Sequence, residues 1–249
     1  MELTKADLHF VVSRIPRDIT KLLKQNPSKL FVAGGFIRAT IAGEKVSDID
    51  MFGESKKTLL AIAKDLTLVR KGRFFETENA ITVLAHPRHP VQFITRWLFT
   101  DPQKLVESFD FTICQAIIWA EETVITHDAT VDEEKPTIKI VYKSLISEGF
   151  YPDLAARRLV YTSPTRKEAA GGSMMRVIKF VKRGYSIQAP SLAGVIARLA
   201  NKLDFKRVPE EKWIKVVLTG LLREVDPMII IDGVDFLDEH EIMKEEGNT

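Results

Sequence analysis

An apolar strand that runs into two glycines, followed a dozen residues later by two aspartates one residue apart, is the tightest constraint on how this chain can fold. In KLFVAGGF (29–36) the apolar run reads as a buried strand ending in a turn at Gly34–Gly35. With no Cβ atoms there, backbone N–H groups can approach an oxyanion closely. Residues 36–42 read as a helix with Arg38 at its start, where a guanidinium can fork onto a phosphate. VSDIDMF (46–52) reads as a second strand, whose alternation puts Asp48 and Asp50 on one face and Ile49 on the opposite, buried face. Two adjacent carboxylates repel unless a cation lies between them. Mg²⁺ (or Mn²⁺) suits the pair, because it takes a few carboxylates and fills its other positions with phosphate oxygens and water. Two such ions can activate an attacking hydroxyl and stabilise a pyrophosphate leaving group.

The remaining pattern organises around these strands. Residues 4–26 read as a helix broken at Pro16, and SKKTLLAIAKDL (55–66) as an amphipathic helix with Leu59, Ile62, Ala63 and Leu66 on one stripe. Short strands are expected at 68–75, 80–85 and 91–96, a helix at 101–109, and a long strand at 110–120 that turns at Glu121–Glu122. From about residue 150 the pattern becomes helical, with segments at 165–185, 191–203 and 209–224. The expected architecture is α+β: a mixed-sheet domain over 1–150, then a smaller α-helical domain over 151–249.

Composition excludes several classes. Hydrophobic residues make up 45% and charged residues 28%, ordinary for a soluble globular protein. No apolar run approaches the ~20 residues needed to span a bilayer. The opening MELTKADLHF has no apolar core of the secretory kind. The lone Cys114 rules out an intramolecular disulfide, so a reducing, cytoplasmic location is expected. Net charge is only +2, but Arg157–Arg183 holds eight basic residues against Glu168 alone, whereas Glu224 to the end holds nine acids against Lys244. A basic block of this kind points to a local polyanion site, RNA or triphosphate, or else to a solvated helix face. His86 and His89 in HPRHP have no partners at metal-ligand spacing and read as a rigid turn. Cys114 and the three tryptophans read as packing residues. No Walker A or dinucleotide-binding fingerprint is present.

The ordered set GGFIRATIAGEKVSDID (34–50) resembles the signature of polymerase-β-like nucleotidyltransferases. The likeness is greatest to the head domain of class II CCA-adding enzymes and bacterial poly(A) polymerases, whose pattern is close to GGxVRDxLLGxxxxDxD. Two further segments follow in the family's order: SFDFTICQAI (108–117), similar to RRDFTINAL with Asp110 at the aspartate, and MRVIKFVKRGY (175–185), similar to the neck helix. The resemblance implies a nucleotidyltransferase head followed by a helical neck. It also implies metal-dependent transfer of NMP from an NTP, such as ATP, to a hydroxyl, with release of pyrophosphate. Asp48, Asp50 and Asp110 would be catalytic, with Asp48 and Asp50 as the metal ligands. The nucleotide set would be Gly34, Gly35, Arg38, Ser47 and Arg176. An RNA 3′ end is the favoured acceptor, with Lys179, Lys182 and Arg183 as RNA contacts; a protein hydroxyl or a small molecule stays open.

Departures from the pattern are equally informative. Ala39 stands where the family has aspartate, and Ser108–Phe109 replace its arginine pair. The strand that offers a third carboxylate in the family reads VQFITRW (91–97), with Gln92 in place of glutamate. The EDxxR that selects C and A in CCA-adding enzymes reads AAGGS (169–173). Nucleotidyl transfer is therefore expected without ordered CCA addition. Gln92 keeps a competing expectation open, a catalytically weak module that binds nucleotide or RNA. On the neck helix, Met174, Val177, Ile178, Val181 and Tyr185 are expected on the apolar face, opposite Arg176, Lys179, Lys182 and Arg183.

Overall fold

A computed structural model of the protein describes residues 1–125, 137–163, 170–201 and 214–216. The chain divides into two compact units, Met1–Ala156 and Arg157–Thr249. The expected helix at 209–224 is described only over 214–216, where it is helical. Arg166, Lys167, Glu168, Trp213 and the acidic C-terminal stretch lie outside the described residues.

The first unit is a mixed α+β structure. Helix α1 (Lys5–Arg14) is capped by Thr4, whose hydroxyl accepts from the Asp7 N–H at 3.1 Å. Pro16 separates it from α2 (Arg17–Gln25), because proline cannot continue the first helix but can begin the next. Then follow β1 (Leu30–Ala33), α3 (Gly35–Ile41), β2 (Ile49–Gly53), α4 (Lys56–Arg70), β3 (Arg73–Glu76), β4 (Ala80–Leu84), β5 (Val91–Ile94) and α5 (Pro102–Glu107). A single 3₁₀ turn at Thr112–Cys114 leads into β6 (Ala116–Ile125), β7 (Thr137–Ile146) and α6 (Phe150–Ala155).

Two expectations fail here. The segment 68–75 is not a strand throughout, because α4 continues to Arg70 and closes on Lys71 in the left-handed conformation (φ 51°). Leu68 and Val69, whose apolarity favoured a strand, project outward from that last turn and are exposed. The segment 110–120 is likewise not one strand: its first half bends into the 3₁₀ turn, and Cys114 is buried there rather than in a strand. β6 then runs straight past Glu121–Glu122, because β7 pairs with it along its whole length, from Ala116↔Ile146 to Ile125↔Thr137.

The sheet has seven strands in the order β3-β4-β5-β2-β1-β6-β7. Every pair is antiparallel except β2 with β5. One face is lined by Val32, Ile49, Met51, Ile81, Val83, Val91 and Phe93, all fully buried. Helix α4 covers this face, since a Cβ built on Gly53 would meet Leu59 at 3.0 Å. The other face carries Phe31, Ala33, Phe52 and Ile117 beneath Leu105 and Val106 of α5. Fully burying side chains of this size stabilises by about 1.5–3 kcal/mol each.

A polar clasp sets the entry to the parallel pair. Arg70, at the end of α4, donates from Nε to Asp18 Oδ2 at 2.8 Å and from Nη2 to Asp18 Oδ1 at 3.1 Å. Its Nη1 donates to the His89 carbonyl at 3.0 Å, and Arg88 reaches the same carboxylate at 3.3 Å. Burial alone would raise the Asp18 pKa, but the hydrogen bond and charge of Arg70 outweigh it and hold the carboxyl below its ordinary value. The HPRHP segment is thus a held turn. Its last residue, Pro90, accepts from the Ile49 N–H at 2.9 Å and so fixes the register of β2 against β5.

In the second unit, β8 (Arg158–Leu159) pairs in parallel with β9 (Ser186–Ile187), and α7 (Ala170–Lys182) packs on α8 (Ala189–Ala200). Among the described residues no helix is long and apolar enough to cross a membrane.

Candidate active site

Register across the sheet assembles the site. Asp50 lies opposite Ala33 of β1 on one side and Gln92 of β5 on the other. The row continues from Gln92 to Thr82 of β4 and from Ala33 to Ile117 of β6. Residues directly across from each other point to the same face, so this face is apolar toward β6 and polar at Asp50, Gln92 and Thr82. Ile49 is fully buried on the opposite face, as alternation requires. Asp48 falls one residue before β2 rather than within it, and the Ser47 hydroxyl donates to its Oδ1. Asp48 and Asp50 are both half-buried, whereas Gln92 is only 7% exposed.

β1 and β2 are antiparallel, which brings the glycine turn after Ala33 to the Asp50 end of β2. Gly34 adopts φ 72°, ψ −125°, a conformation that side chains strongly disfavour. Its N–H donates to the Ala116 carbonyl at 2.9 Å, so this amide is committed to the sheet. A Cβ here would also meet Phe109 Cε1 at 3.0 Å. At Gly35, the first residue of α3, a Cβ would meet nothing within 4 Å. The two glycines therefore differ: Gly34 is required by the backbone, and Gly35 borders open space.

Arg38 lies in the middle of α3, its side chain only 5% exposed, with Nη2 3.6 Å from Glu44 Oε2. Glu44 is itself tied back to α3, since its N–H donates to the Ala39 carbonyl at 2.8 Å. Arg38 thus braces the turn that leads to Ser47 and Asp48. Sequence reasoning missed Glu44, because an acid in a polar gap carries no sign that its partner is buried.

Asp110, 6% exposed, sits between Phe109 and the 3₁₀ turn. Gln115 Nε2 donates to the Phe109 carbonyl at 3.1 Å, and Thr112 Oγ1 donates to Asp153 Oδ2 at 2.6 Å. These bonds fix the segment on both sides of Asp110. Phe109, noted in the sequence only for the arginine it replaces, fills the space against Gly34. Among the described residues, no three His, Cys, Asp or Glu side chains form a group that could hold a metal ion.

The model of the Gabija anti-defense 2 family matches residues 2–134, more than half of the chain. The chain belongs to the Gabija anti-defense 2 family. It is 21% identical over 179 residues to the protein named Gabija anti-defense 2 of Bacillus phage SPbetaL7. That match takes in 72% of this chain and 39% of the relative, so the chain spans about two-fifths of its curated relative's length. Among solved structures, the fold is similar to the Thermotoga maritima CCA-adding enzyme complexed with tRNA (TM-score 0.54, 15% identity, 90% of this chain and 49% of that one). It is also similar to a CCA-adding enzyme in complex with CTP (TM-score 0.52, 16% identity, 91% and 51%). This Gabija anti-defense 2 family member thus has the mixed-sheet fold of a nucleotidyltransferase head.

In the second unit of this family member, α7 carries the remaining candidates. The expected apolar stripe is only partly right. Val177 and Tyr185 are buried, but Val181 is 48% exposed, and Met175 and Phe180 are buried in its stead. The helix is embraced on more than one side, so a single amphipathic face is a poor description of it. Arg176, Lys179 and Arg183 are half-buried and Lys182 is exposed. The helix ends at Lys182, two residues before Gly184 (φ 84°), and Arg157 donates from Nη1 to the Arg183 carbonyl at 3.2 Å. Arg157 also lies 5.9 Å from the Tyr185 ring centroid, at cation–π distance.

Proposed function

We propose that this protein is a metal-dependent nucleotidyltransferase that moves NMP from an NTP to a hydroxyl acceptor. The observation that carries this reading is the placement of Asp50, with Asp48 just before it, beside a glycine turn that borders open space at Gly35. In the reaction the acceptor oxygen forms a bond to the α-phosphorus. The bond from that phosphorus to the bridging oxygen breaks, pyrophosphate leaves with the electron pair, and the hydroxyl proton passes to solvent.

The donor set fits a hard divalent cation: two half-buried carboxylates and the carbonyl oxygen of an amide across the strand. Mg²⁺ or Mn²⁺ held by Asp48 and Asp50 would offset the charge of the triphosphate. Ser47 orients Asp48 through its hydroxyl. Gly35 leaves room for a phosphate beside α3, with Gly34 shaping the turn. Arg38 braces the loop that carries Asp48, and Asp110 organises the segment packed against Gly34. Arg176 of α7 is proposed as a further phosphate contact, within a helical neck and C-terminal region at 151–249.

An RNA 3′ end is the favoured acceptor. Support comes from the fold of enzymes solved with tRNA and from Lys179, Lys182 and Arg183 along α7. Membership of the Gabija anti-defense 2 family supports a use of this chemistry in countering the Gabija defence. Gln92 favours a second reading, a module that binds nucleotide without transferring it. Incubation with each α-³²P-labelled NTP, Mg²⁺ and total cellular RNA tests the two. Label on RNA supports the first; bound nucleotide with neither label transfer nor pyrophosphate supports the second.

A further inference from the structure

The parallel pairing of β2 with β5 sets Gln92 directly beside Asp50, with Thr82 next in the same row. Neighbouring strands lie about 4.8 Å apart, so the amide is within reach of any cation held by Asp50. Gln92 offers that cation a neutral carbonyl oxygen where a glutamate would offer a charge. Among the described residues, no three His, Cys, Asp or Glu side chains are grouped where they could hold a metal ion. The protein's own contribution at this position is therefore the charge of two carboxylates. The triphosphate brings its own charge and its own cation, so a second ion would depend on a further protein carboxylate placed to hold it. A second would face the first with a repulsion roughly four times that of two unit charges at the same distance.

We propose that Gln92 limits this site to a single divalent cation, the one that enters with the bound nucleoside triphosphate. The proposal rests on the nucleotide-binding reading of Asp48, Asp50 and Gly35. Gln92→Glu is nearly isosteric and supplies the missing carboxylate beside Asp50, so it creates capacity for a second ion.

Mn²⁺ titration followed by EPR tests this on the full chain saturated with α,β-methylene ATP or CTP. The wild type is expected to hold one Mn²⁺ per protein, and only with nucleotide present. Gln92→Glu is expected to hold a second, with affinity for it raised on the order of tenfold or more, the sensitivity such oxygen sites show to ligand charge. Two Mn²⁺ ions in the wild type, or no added ion in Gln92→Glu, would overturn the limit while leaving nucleotide binding intact. Absence of any nucleotide-dependent Mn²⁺ signal would remove the nucleotide reading and this inference with it. A thermal melt accompanies the variant; if Gln92→Glu does not fold, the wild-type stoichiometry decides alone.

Discussion

Replacing Gly34 and Gly35 with alanine, one at a time, separates the glycine the fold needs from the glycine the ligand needs. Gly34 holds φ 72°, ψ −125°, and its added Cβ would lie 3.0 Å from Phe109 Cε1. Backbone strain of this kind costs about 1–3 kcal/mol, and displacing Phe109 adds to it, because that ring packs on Phe52 at 5.8 Å between centroids. Gly35 is the first residue of α3 and its Cβ would enter open space. Alanine there is conformationally acceptable and gains about 0.4–1 kcal/mol by restricting the unfolded chain. Urea unfolding read by tryptophan fluorescence is the stability assay, since Trp119 packs against Phe31 in the same core. A fluorescent NTP analogue reports binding. The expected pattern is crossed: Gly34→Ala loses stability, whereas Gly35→Ala keeps it and loses nucleotide affinity. A Gly34→Ala protein within about 0.5 kcal/mol of wild type would refute the conformational argument. Wild-type nucleotide affinity in Gly35→Ala would refute the phosphate cradle.

Asp18→Ala should cost about 3–5 kcal/mol, because it strands the Arg70 guanidinium, fully buried in the fold. The Asp18 pKa is lowered on folding, so its contribution is present above the ordinary carboxylate value of about 3.9 and is lost as pH falls through the lowered value. Denaturant midpoints measured down to pH 2 should accordingly converge for wild type and Asp18→Ala at the acid end. Without an EDxxR template, incubation with a truncated tRNA should give broad NTP use and no ordered C-C-A addition; faithful completion would show otherwise. Changing Lys179, Lys182 and Arg183 together to Gln should flatten the salt dependence of RNA binding by about two units of log–log slope if all three touch phosphate. An unchanged slope would make them a solvated face.

The local geometry around Asp50 was legible in the sequence. The glycine turn and the burial of Ile49 follow from spacing and alternation, whereas Asp48 falls just before the strand expected to hold it. The identity of Gln92 as Asp50's neighbour needed the register of β2 on β5, which depends on the Arg70 clasp and the Pro90 carbonyl, both remote in sequence. The same limit hid Glu44 and Phe109, whose partners are set by tertiary packing. Where local reasoning failed, apolar runs were at fault. Leu68 and Val69 end a helix with their side chains outward, and the 110–120 run bends at Thr112–Cys114 because Thr112 is anchored to Asp153. The helix at α7 was expected, ending three residues beyond Lys182, but its stripe was misread, because burial on more than one side erases a simple helical period.

Pyrophosphate release from Mg²⁺ and NTP in the presence of acceptor, compared between wild type, Asp48→Ala and Asp50→Ala, tests the proposed chemistry most directly. Both carboxylates are half-buried at the strand end and serve charge placement more than packing, so both variants should keep the wild-type melting profile. Each should lose on the order of a hundredfold or more in rate, the scale seen when an electrostatic stabiliser is removed. A folded Asp48→Ala protein that releases pyrophosphate at the wild-type rate would contradict the assignment of this site.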